Sequence, residues 1–211
     1  FIKINKYNLL DKKDSTISDI NISTKWTNLQ YHEVNAIQKF IIASFDIECT
    51  SCDGGFPQYE RIEDTVIQIG TTFHKYGETE CFYRHIITLG SCDDIKDADV
   101  EWYETEREVL IAWTNLIKRI NPDVMTGWNI FGFDYLYLHE RSKLLNCHKQ
   151  FSKLSRLIDS TSEFVDKNLS SSAMGDNRLR YYNMNGRVNI DLMKNVRNNY
   201  NLTSYKLDSV A

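Results

Sequence analysis

An acidic pair interrupts one of the most apolar stretches of the chain. Residues 40–48 are rich in Ile and Phe, which predicts a strand buried on both faces, and the run contains Asp46 and Glu48 near its end. Side chains two positions apart on a strand point the same way. Two carboxylates held side by side repel each other and lose hydration, a cost that a cation between them would offset. The pair therefore indicates a divalent metal site with oxygen ligands.

Acid-x-acid spacing alone is a weak signal, because three further pairs occur in this sequence. They lie in polar stretches and are predicted to be solvated: Glu78/Glu80, Asp97/Asp99 and Glu104/Glu106. The apolar strand that carries Asp46 and Glu48 is what distinguishes them from these pairs.

Asp134 is the next candidate ligand. It follows the stretch Asn129-Ile-Phe-Gly-Phe and precedes residues 135–145, whose composition and spacing predict a helix. Asp134 should lie in the first turn of that helix, where the helix dipole favours an ionised carboxylate that could bind a cation. A simple role as a capping acid is the alternative.

The elements around these acids predict an α/β fold. Residues 65–74 and 81–89 form a predicted hairpin, and a helix should begin at the capping box formed by Thr105 and Glu108 and end at Asn121-Pro122. A short strand at residues 123–128 follows. This order favours a mixed sheet of ribonuclease H-like type flanked by helices. Residues 160–177, rich in Ser and Gly, are predicted to be a mobile loop.

Composition and charge narrow the class of protein. The chain has 211 residues, no apolar run of 18 residues and no signal-peptide pattern, so we expect neither a membrane-spanning nor a secreted protein. Five scattered cysteines, Cys49 and Cys52 among them, indicate reduced thiols in an intracellular compartment.

The charge is uneven along the chain. Residues 1–136 carry a net charge of −9 and residues 137–211 carry +5. The basic part could contact phosphate, and it includes Arg141, Lys143, Lys149, Lys153, Arg156, Arg178, Arg180 and Arg187.

Six motifs in order resemble family B DNA polymerases of the delta-type replicative branch, which includes polymerases of large DNA viruses. Phe45-Asp-Ile-Glu48 resembles the first exonuclease motif of that family and Asn129-Ile-Phe-Gly-Phe-Asp134 resembles the second. The supporting motifs are Asp64-Thr-Val-Ile-Gln-Ile-Gly70, Asn121-Pro-Asp-Val-Met-Thr-Gly127, Gly186-Arg-Val-Asn-Ile-Asp191 and Ser204-Tyr-Lys-Leu-Asp-Ser-Val210. The resemblance implies a DnaQ-like 3′→5′ exonuclease domain over residues 37–211, with residues 1–36 as a linker or the end of a preceding domain.

The resemblance also implies roles for individual residues. Asp46, Glu48 and Asp134 would be three of the four carboxylates of a proofreading exonuclease and would hold two Mg²⁺ or Mn²⁺ ions. Asp46 would bridge both ions, Glu48 would hold the ion that activates water, and Asp134 would hold the other. Asn129 and Phe133 match positions that contact the frayed 3′ end, although a buried aromatic is an equally good interpretation of Phe133. A hairpin near residues 160–177 would help to separate primer from template, and Asp191 would cap the helix that follows it.

The fourth family carboxylate lies in a Tyr-x-x-x-Asp motif, and no Tyr that follows the second motif in this sequence has an Asp at that spacing. We therefore expect it beyond Ala211, in a longer polypeptide that carries the polymerase domains, and we expect the isolated piece to bind metal poorly and to cut slowly or not at all. The implied partners are a single-stranded 3′ primer end, those polymerase domains and a processivity factor. The implied location is the nucleus or a cytoplasmic replication site, including that of a virus-infected cell.

Two other functions stay open. A related nuclease uses His as general base in a His-x-x-x-x-Asp motif, and neither His139 nor His148 has an Asp at that spacing. A non-catalytic scaffold that holds DNA or a partner subunit would have the same fold, and retention of all three acids argues against it.

Overall fold

A six-stranded mixed sheet forms the centre of the protein. The structure is a computed structural model and describes residues 1–11, 20–35, 39–158, 160–171 and 175–211. In chain order the strands are β1 (Ile2–Ile4), β2 (Asn8–Leu9), β3 (Ile22–Ser23), β4 (Leu29–Tyr31), β5 (Ile41–Cys49), β6 (Val66–Lys75), β7 (Cys81–Leu89), β8 (Asp99–Tyr103), β9 (Val124–Gly127), β10 (Glu163–Ser171), β11 (Gly175–Asn183) and β12 (Val188–Asp191). The central sheet has the order β12-β9-β5-β6-β7-β8.

Both parallel and antiparallel pairs occur in this sheet. β5, β6 and β7 form an antiparallel meander, whereas β9 pairs in parallel with β5 and β12 pairs in parallel with β9. The short strand β8 extends the other edge in parallel with β7. The predicted α/β architecture with a mixed sheet and flanking helices is confirmed. β8 itself was missed, because its acidic surroundings conceal a short edge strand.

Helices cover both faces of the sheet. They are α1 (Glu106–Ile120), α2 (Asp134–Leu144), α3 (His148–Phe151), α4 (Leu192–Asn199) and α5 (Leu207–Val210). The predicted capping box begins α1, since the Thr105 hydroxyl accepts from the Glu108 amide and the Glu108 carboxylate accepts from the Thr105 amide. In the part of the chain that is described, no helix is long and apolar enough to span a membrane.

The core lies between α1, α2 and one face of the sheet. Trp113 of α1 is fully buried and donates its indole N–H to Thr71 of β6, and its ring lies 4.9 Å from that of Phe45. Ala43, Phe45 and Ile47 of β5 all point into this core. β5 is therefore buried on one face, and the prediction of a strand buried on both faces is wrong.

The segment predicted as a mobile loop is instead a long hairpin. β10 and β11 pair over nine positions, from Glu163 opposite Asn183 to Ser171 opposite Gly175. Phe164 stacks on His139 of α2 at 3.8 Å, and Tyr182 is fully buried. These aromatic contacts attach the base of the hairpin to the domain. Composition alone predicted a loop here, whereas the family resemblance implied a hairpin, and residues 172–174 between the two strands lie outside the described part of the chain.

The first 35 residues form separate small sheets, in which β1 pairs with β4 and β2 pairs with β3. The domain division expected near residue 36 stays a prediction, because residues 36–38 lie outside the described part of the chain.

Candidate active site

The acidic pair lies on the face of β5 that is turned away from the core. Both Asp46 and Glu48 are exposed, while Ile47 between them is buried. The alternation of β5 therefore puts both carboxylates on the same face, as their spacing predicts.

Asp134 comes to this pair from the second half of the chain. It is the first residue of α2, as predicted, and it is only 2% exposed. Its Oδ1 accepts a hydrogen bond of 3.2 Å from the backbone amide of Ile47, the residue between the two strand acids. Residues 87 positions apart in sequence are thus joined at one point.

The carboxyl groups of Asp46 and Asp134 are near enough for each to affect the pKa of the other. Burial, reinforced by the charge of Asp46, raises the pKa of Asp134 to about 8. Burial also raises the pKa of Asp46. No Lys or Arg side chain of the described residues forms an ion pair with either group. Below about pH 8 Asp134 therefore holds a proton, and a cation bound between the two groups would take the place of that proton.

A tight turn between β9 and α2 makes this approach possible. Gly127 lies so close to β5 that a Cβ there would be 2.5 Å from the Phe45 carbonyl oxygen and equally close to Ile130. Asn129 adopts a left-handed conformation with φ of 61°, and its carbonyl accepts from the amides of Gly132 and Phe133. The turn therefore places Asp134 next to Ile47, near the end of β5.

The two residues expected to contact DNA lie beside this turn. Asn129 is half-buried and packs on Gly132, where a Cβ would lie 2.2 Å from its Oδ1. Phe133 is also half-buried, and its ring lies 5.3 Å from Phe56, which is 69% exposed, and 5.3 Å from Tyr137. Phe133 is thus neither a fully buried core residue nor a free one, and contact of either residue with DNA stays a prediction.

Asp191 is structural, as expected. Its Oδ1 accepts from the Lys194 amide and caps α4, while its Oδ2 accepts from the Phe131 amide at 2.9 Å. The carboxylate therefore ties the turn that carries Asp134 to the end of β12.

The donor set fits a hard divalent cation in part. The paired oxygens of Asp46 and Asp134 are the ligand type that Mg²⁺ and Mn²⁺ prefer. Glu48 lies on the same face, yet within the described ranges no three His, Cys, Asp or Glu side chains come together as a metal-binding group. The structure thus brings Asp46 and Asp134 together, whereas Glu48 shares the exposed face of β5 with Asp46 without forming a three-residue group with the two aspartates.

A buried ion pair between α1 and α2 fixes the loop that follows β5, and the sequence analysis did not predict it. Glu106 is 6% exposed, so the prediction that all three comparison pairs are solvated is wrong for this residue. Arg141 of α2, 1% exposed, donates from Nε to Glu106 at 2.8 Å. It also donates to the carbonyls of Tyr59, Arg61 and Ile62, which fixes the loop between β5 and β6. The sequence signal that could have predicted this pair is an acid, Glu106, at the start of one amphipathic helix together with an Arg, Arg141, inside another predicted helix.

These features define an α/β nuclease-type domain with a carboxylate site at the end of a central strand. The sequence model described as "DNA polymerase family B, exonuclease domain" matches residues 1–210. The chain therefore belongs to the exonuclease domain family of family B DNA polymerases.

Individual relatives agree with this assignment. A DNA polymerase of Pyramimonas orientalis virus is 51% identical over 148 residues, which is 70% of this chain and 12% of that protein. The DNA polymerase delta catalytic subunit of Glycine max is 40% identical over 179 residues, covering 85% of this chain and 16% of the relative. That of Bos taurus is 35% identical over 210 residues, covering 98% and 19%. The chain thus spans less than a fifth of the length of these three relatives.

Proposed function

We propose that this domain hydrolyses the terminal phosphodiester at the 3′ end of DNA and releases a deoxynucleoside monophosphate. The convergence of Asp134 on Asp46 carries the proposal, because it brings two carboxyl groups together near the end of β5, without an ion-pair partner among the described residues, in a chain of this family. Asp46, Glu48 and Asp134 would hold Mg²⁺ or Mn²⁺. Such ions supply an activated water and stabilise the leaving oxygen.

The residues of the chain would contribute positioning. The Ile47 amide fixes the Asp134 carboxyl group through its hydrogen bond. Asp46 lies near this group on the exposed face of β5. Phe133 with Phe56 offers an aromatic surface against which an unpaired base or sugar could pack. Glu48 would have to turn toward the aspartates on metal binding, since it does not form a group with them in the described structure.

The wider role follows from the relatives. We propose that the domain proofreads for a DNA-directed DNA polymerase and acts on a single-stranded 3′ primer end. Its partners would be the polymerase domains and a processivity factor, at an intracellular replication site in the nucleus or cytoplasm. The relatives named DNA polymerase delta catalytic subunit and the viral DNA polymerase support this role.

The direct test uses a polymerase that carries this domain. Asp46→Ala combined with Glu48→Ala should abolish removal of a 3′ mismatch and leave nucleotide addition intact. Glu80→Gln, a change at an exposed acid of another acid-x-acid pair, is the matched control and should leave both activities unchanged. Mismatch removal at the wild-type rate by the double variant would refute the proposal.

A non-catalytic DNA-holding domain is the second candidate, and the incomplete metal group favours it. Titrating Mn²⁺ into the 211-residue chain separates the two functions. The nuclease predicts a higher Tm with Mn²⁺ that is lost in Asp46→Ala, whereas equal responses of the two proteins would favour the scaffold.

A further inference from the structure

A second cavity adjoins the carboxylate site. A cavity of about 450 Å³ contains Asp46 in its wall and is bounded on one side by Trp128 and Leu207. The same two residues bound a more open cavity of about 680 Å³. The remaining lining of this second cavity consists of Asn129, Gly132, Met193, Arg197, Tyr205 and Lys206. The two cavities are therefore neighbours across a shared wall.

The second cavity contains a preorganised cation. The Arg197 guanidinium carbon lies 5.0 Å from the centre of the Tyr205 ring. Tyr205 is itself fixed, because its hydroxyl donates to the Tyr200 carbonyl at 2.9 Å and accepts from the Leu202 amide at 3.2 Å. Stacking on a fixed ring orients the guanidinium and leaves its N–H groups free to bind a planar or tetrahedral anion.

The cavity also lacks a compensating acid. Among the described residues, neither Arg197 nor Lys206 forms an ion pair with a carboxylate, in contrast to Arg141, Arg156 and Arg178, which are all paired. Asp208 lies two positions after Lys206 in the chain but is not part of the cavity lining. The neighbouring Lys194 has a lowered pKa, chiefly through burial, and the charge of Arg197 contributes to this. The second cavity therefore carries positive charge without a carboxylate partner, next to the cavity that contains Asp46.

We infer that Arg197, Lys206 and Tyr205 form a phosphate-binding subsite for the single strand whose 3′ end lies at Asp46. This inference rests on the proposed function and adds to it the residues that would hold the strand upstream of the cleaved bond. The phosphate would accept from Arg197 and Lys206, and the shared wall of Trp128 and Leu207 would separate it from the terminal nucleotide. Basic groups beside aromatic rings are the usual means of holding a single strand without reading its sequence.

The test measures binding without chemistry. A 5′-fluorescein-labelled oligo(dT) is titrated with the 211-residue chain in EDTA, and anisotropy is followed at several salt concentrations. Arg197→Gln combined with Lys206→Gln should weaken binding about tenfold, since a hydrogen bond to a charged group has about that effect. The slope of log K against log salt should fall by about 0.7 per lost phosphate contact. When Arg197→Lys replaces Arg197→Gln, part of the lost affinity should return, because the positive charge is kept and only the planar guanidinium is lost.

Controls separate this subsite from general basicity and from catalysis. Lys3→Gln removes an exposed charge on β1 and should leave affinity and salt slope unchanged. Asp46→Asn should keep the binding response, so the subsite can stand even if the chain proves not to be a nuclease. A wild-type salt slope in the double variant, or no binding of oligo(dT) by the wild type, would overturn the inference. Equal loss of duplex binding would likewise exclude a single-strand subsite.

Neutral linkages locate the contact along the strand. A series of oligo(dT) molecules each carries one methylphosphonate at a different position near the 3′ end. The wild type should lose affinity at a linkage one or more nucleotides upstream of the terminal one, and the double variant should be insensitive there. If both proteins respond alike at every position, Arg197 and Lys206 do not bind the strand, and a protein segment becomes the better candidate for the cavity.

Discussion

Asp134 illustrates how one residue combines a functional demand with a structural cost. Its pKa of about 8 lies well above the usual value for Asp, so the folded protein keeps a proton that the unfolded chain has lost. Between about pH 4 and pH 8 unfolding releases this proton, and the contribution of Asp134 to stability therefore falls as pH rises. A bound cation would remove the same cost.

We therefore predict that Asp134→Asn raises the Tm of the metal-free chain at pH 8, because Asn cannot ionise and can still accept from the Ile47 amide. One pKa unit corresponds to about 1.4 kcal/mol. About 1 kcal/mol shifts the Tm of a domain of this size by about 2–4 °C. Calorimetry in EDTA at pH 5 and pH 8 measures the effect, with Glu80→Gln as control. A variant that is less stable than the wild type at pH 8 would contradict the prediction.

At the scale of elements, the ion pair between α1 and α2 holds the loop that follows Glu48. Because Arg141 and Glu106 are both buried, removing one partner leaves an uncompensated charge. We predict that Arg141→Met lowers the free energy of unfolding by about 3–5 kcal/mol. Urea unfolding measures this loss, and limited proteolysis should cut first within residues 56–63.

The double variant Glu106→Gln, Arg141→Met provides the control for this pair. Its loss should be smaller than the sum of the two single losses, because neither charge is left alone. Additive losses would mean that the two side chains act independently.

The close approach of β9 to β5 gives a second prediction for the elements. We predict that Gly127→Ala destabilises the domain by about 1–3 kcal/mol, since its Cβ would overlap the Phe45 carbonyl and Ile130. Gly70→Ala is the matched control, because a Cβ there has no neighbour within 4 Å and the backbone does not require glycine. Thermal unfolding compares the two variants, and equal Tm values would show that β9 can shift without cost.

At the scale of the whole molecule, Asp134 and His139 have opposite effects on how the stability of the fold depends on pH. Burial and the neighbouring His148 lower the pKa of His139 to about 4, so protonation of this ring disfavours the folded state. The unfolded chain gains the proton between about pH 6.5 and pH 4, and the contribution of His139 to stability falls as pH falls through that range. Its stacking partner Phe164 makes the hairpin of β10 and β11 the segment that responds.

We predict that the amides of β10 and β11 lose hydrogen-exchange protection from pH 6.5 to pH 5, after correction for intrinsic rates, before those of β5 and β6. In His139→Gln this pH dependence should be weaker, although the variant loses the stacking contact. Uniform loss of protection across the sheet would place the acid-sensitive step elsewhere.

Which basic residues are available to contact phosphate could be decided only from the fold. The basic C-terminal part suggested a phosphate-contacting surface, yet Arg141, Arg156 and Arg187 are used within the fold. Arg197 and Lys206, which were not among the basic residues named from the sequence as possible phosphate contacts, are the basic residues in the cavity beside the carboxylate site.

The sequence by itself determined the elements that have local signals. A run of apolar residues predicted β5, two strand-like segments joined by a turn predicted the hairpin of β6 and β7, and the capping box predicted α1. The ordered motifs predicted the family and the three acids. Local sequence carries this information because strand period, cap chemistry and turn residues act over a few neighbouring positions.

Only the tertiary structure decided which charged groups meet. It brought Asp134 to Ile47 and Asp46, buried Glu106 against Arg141, and packed Phe164 on His139. Each of these contacts joins residues 25 or more positions apart. Their burial and pKa values depend on the neighbours that the fold supplies, so no local pattern of residues specifies them.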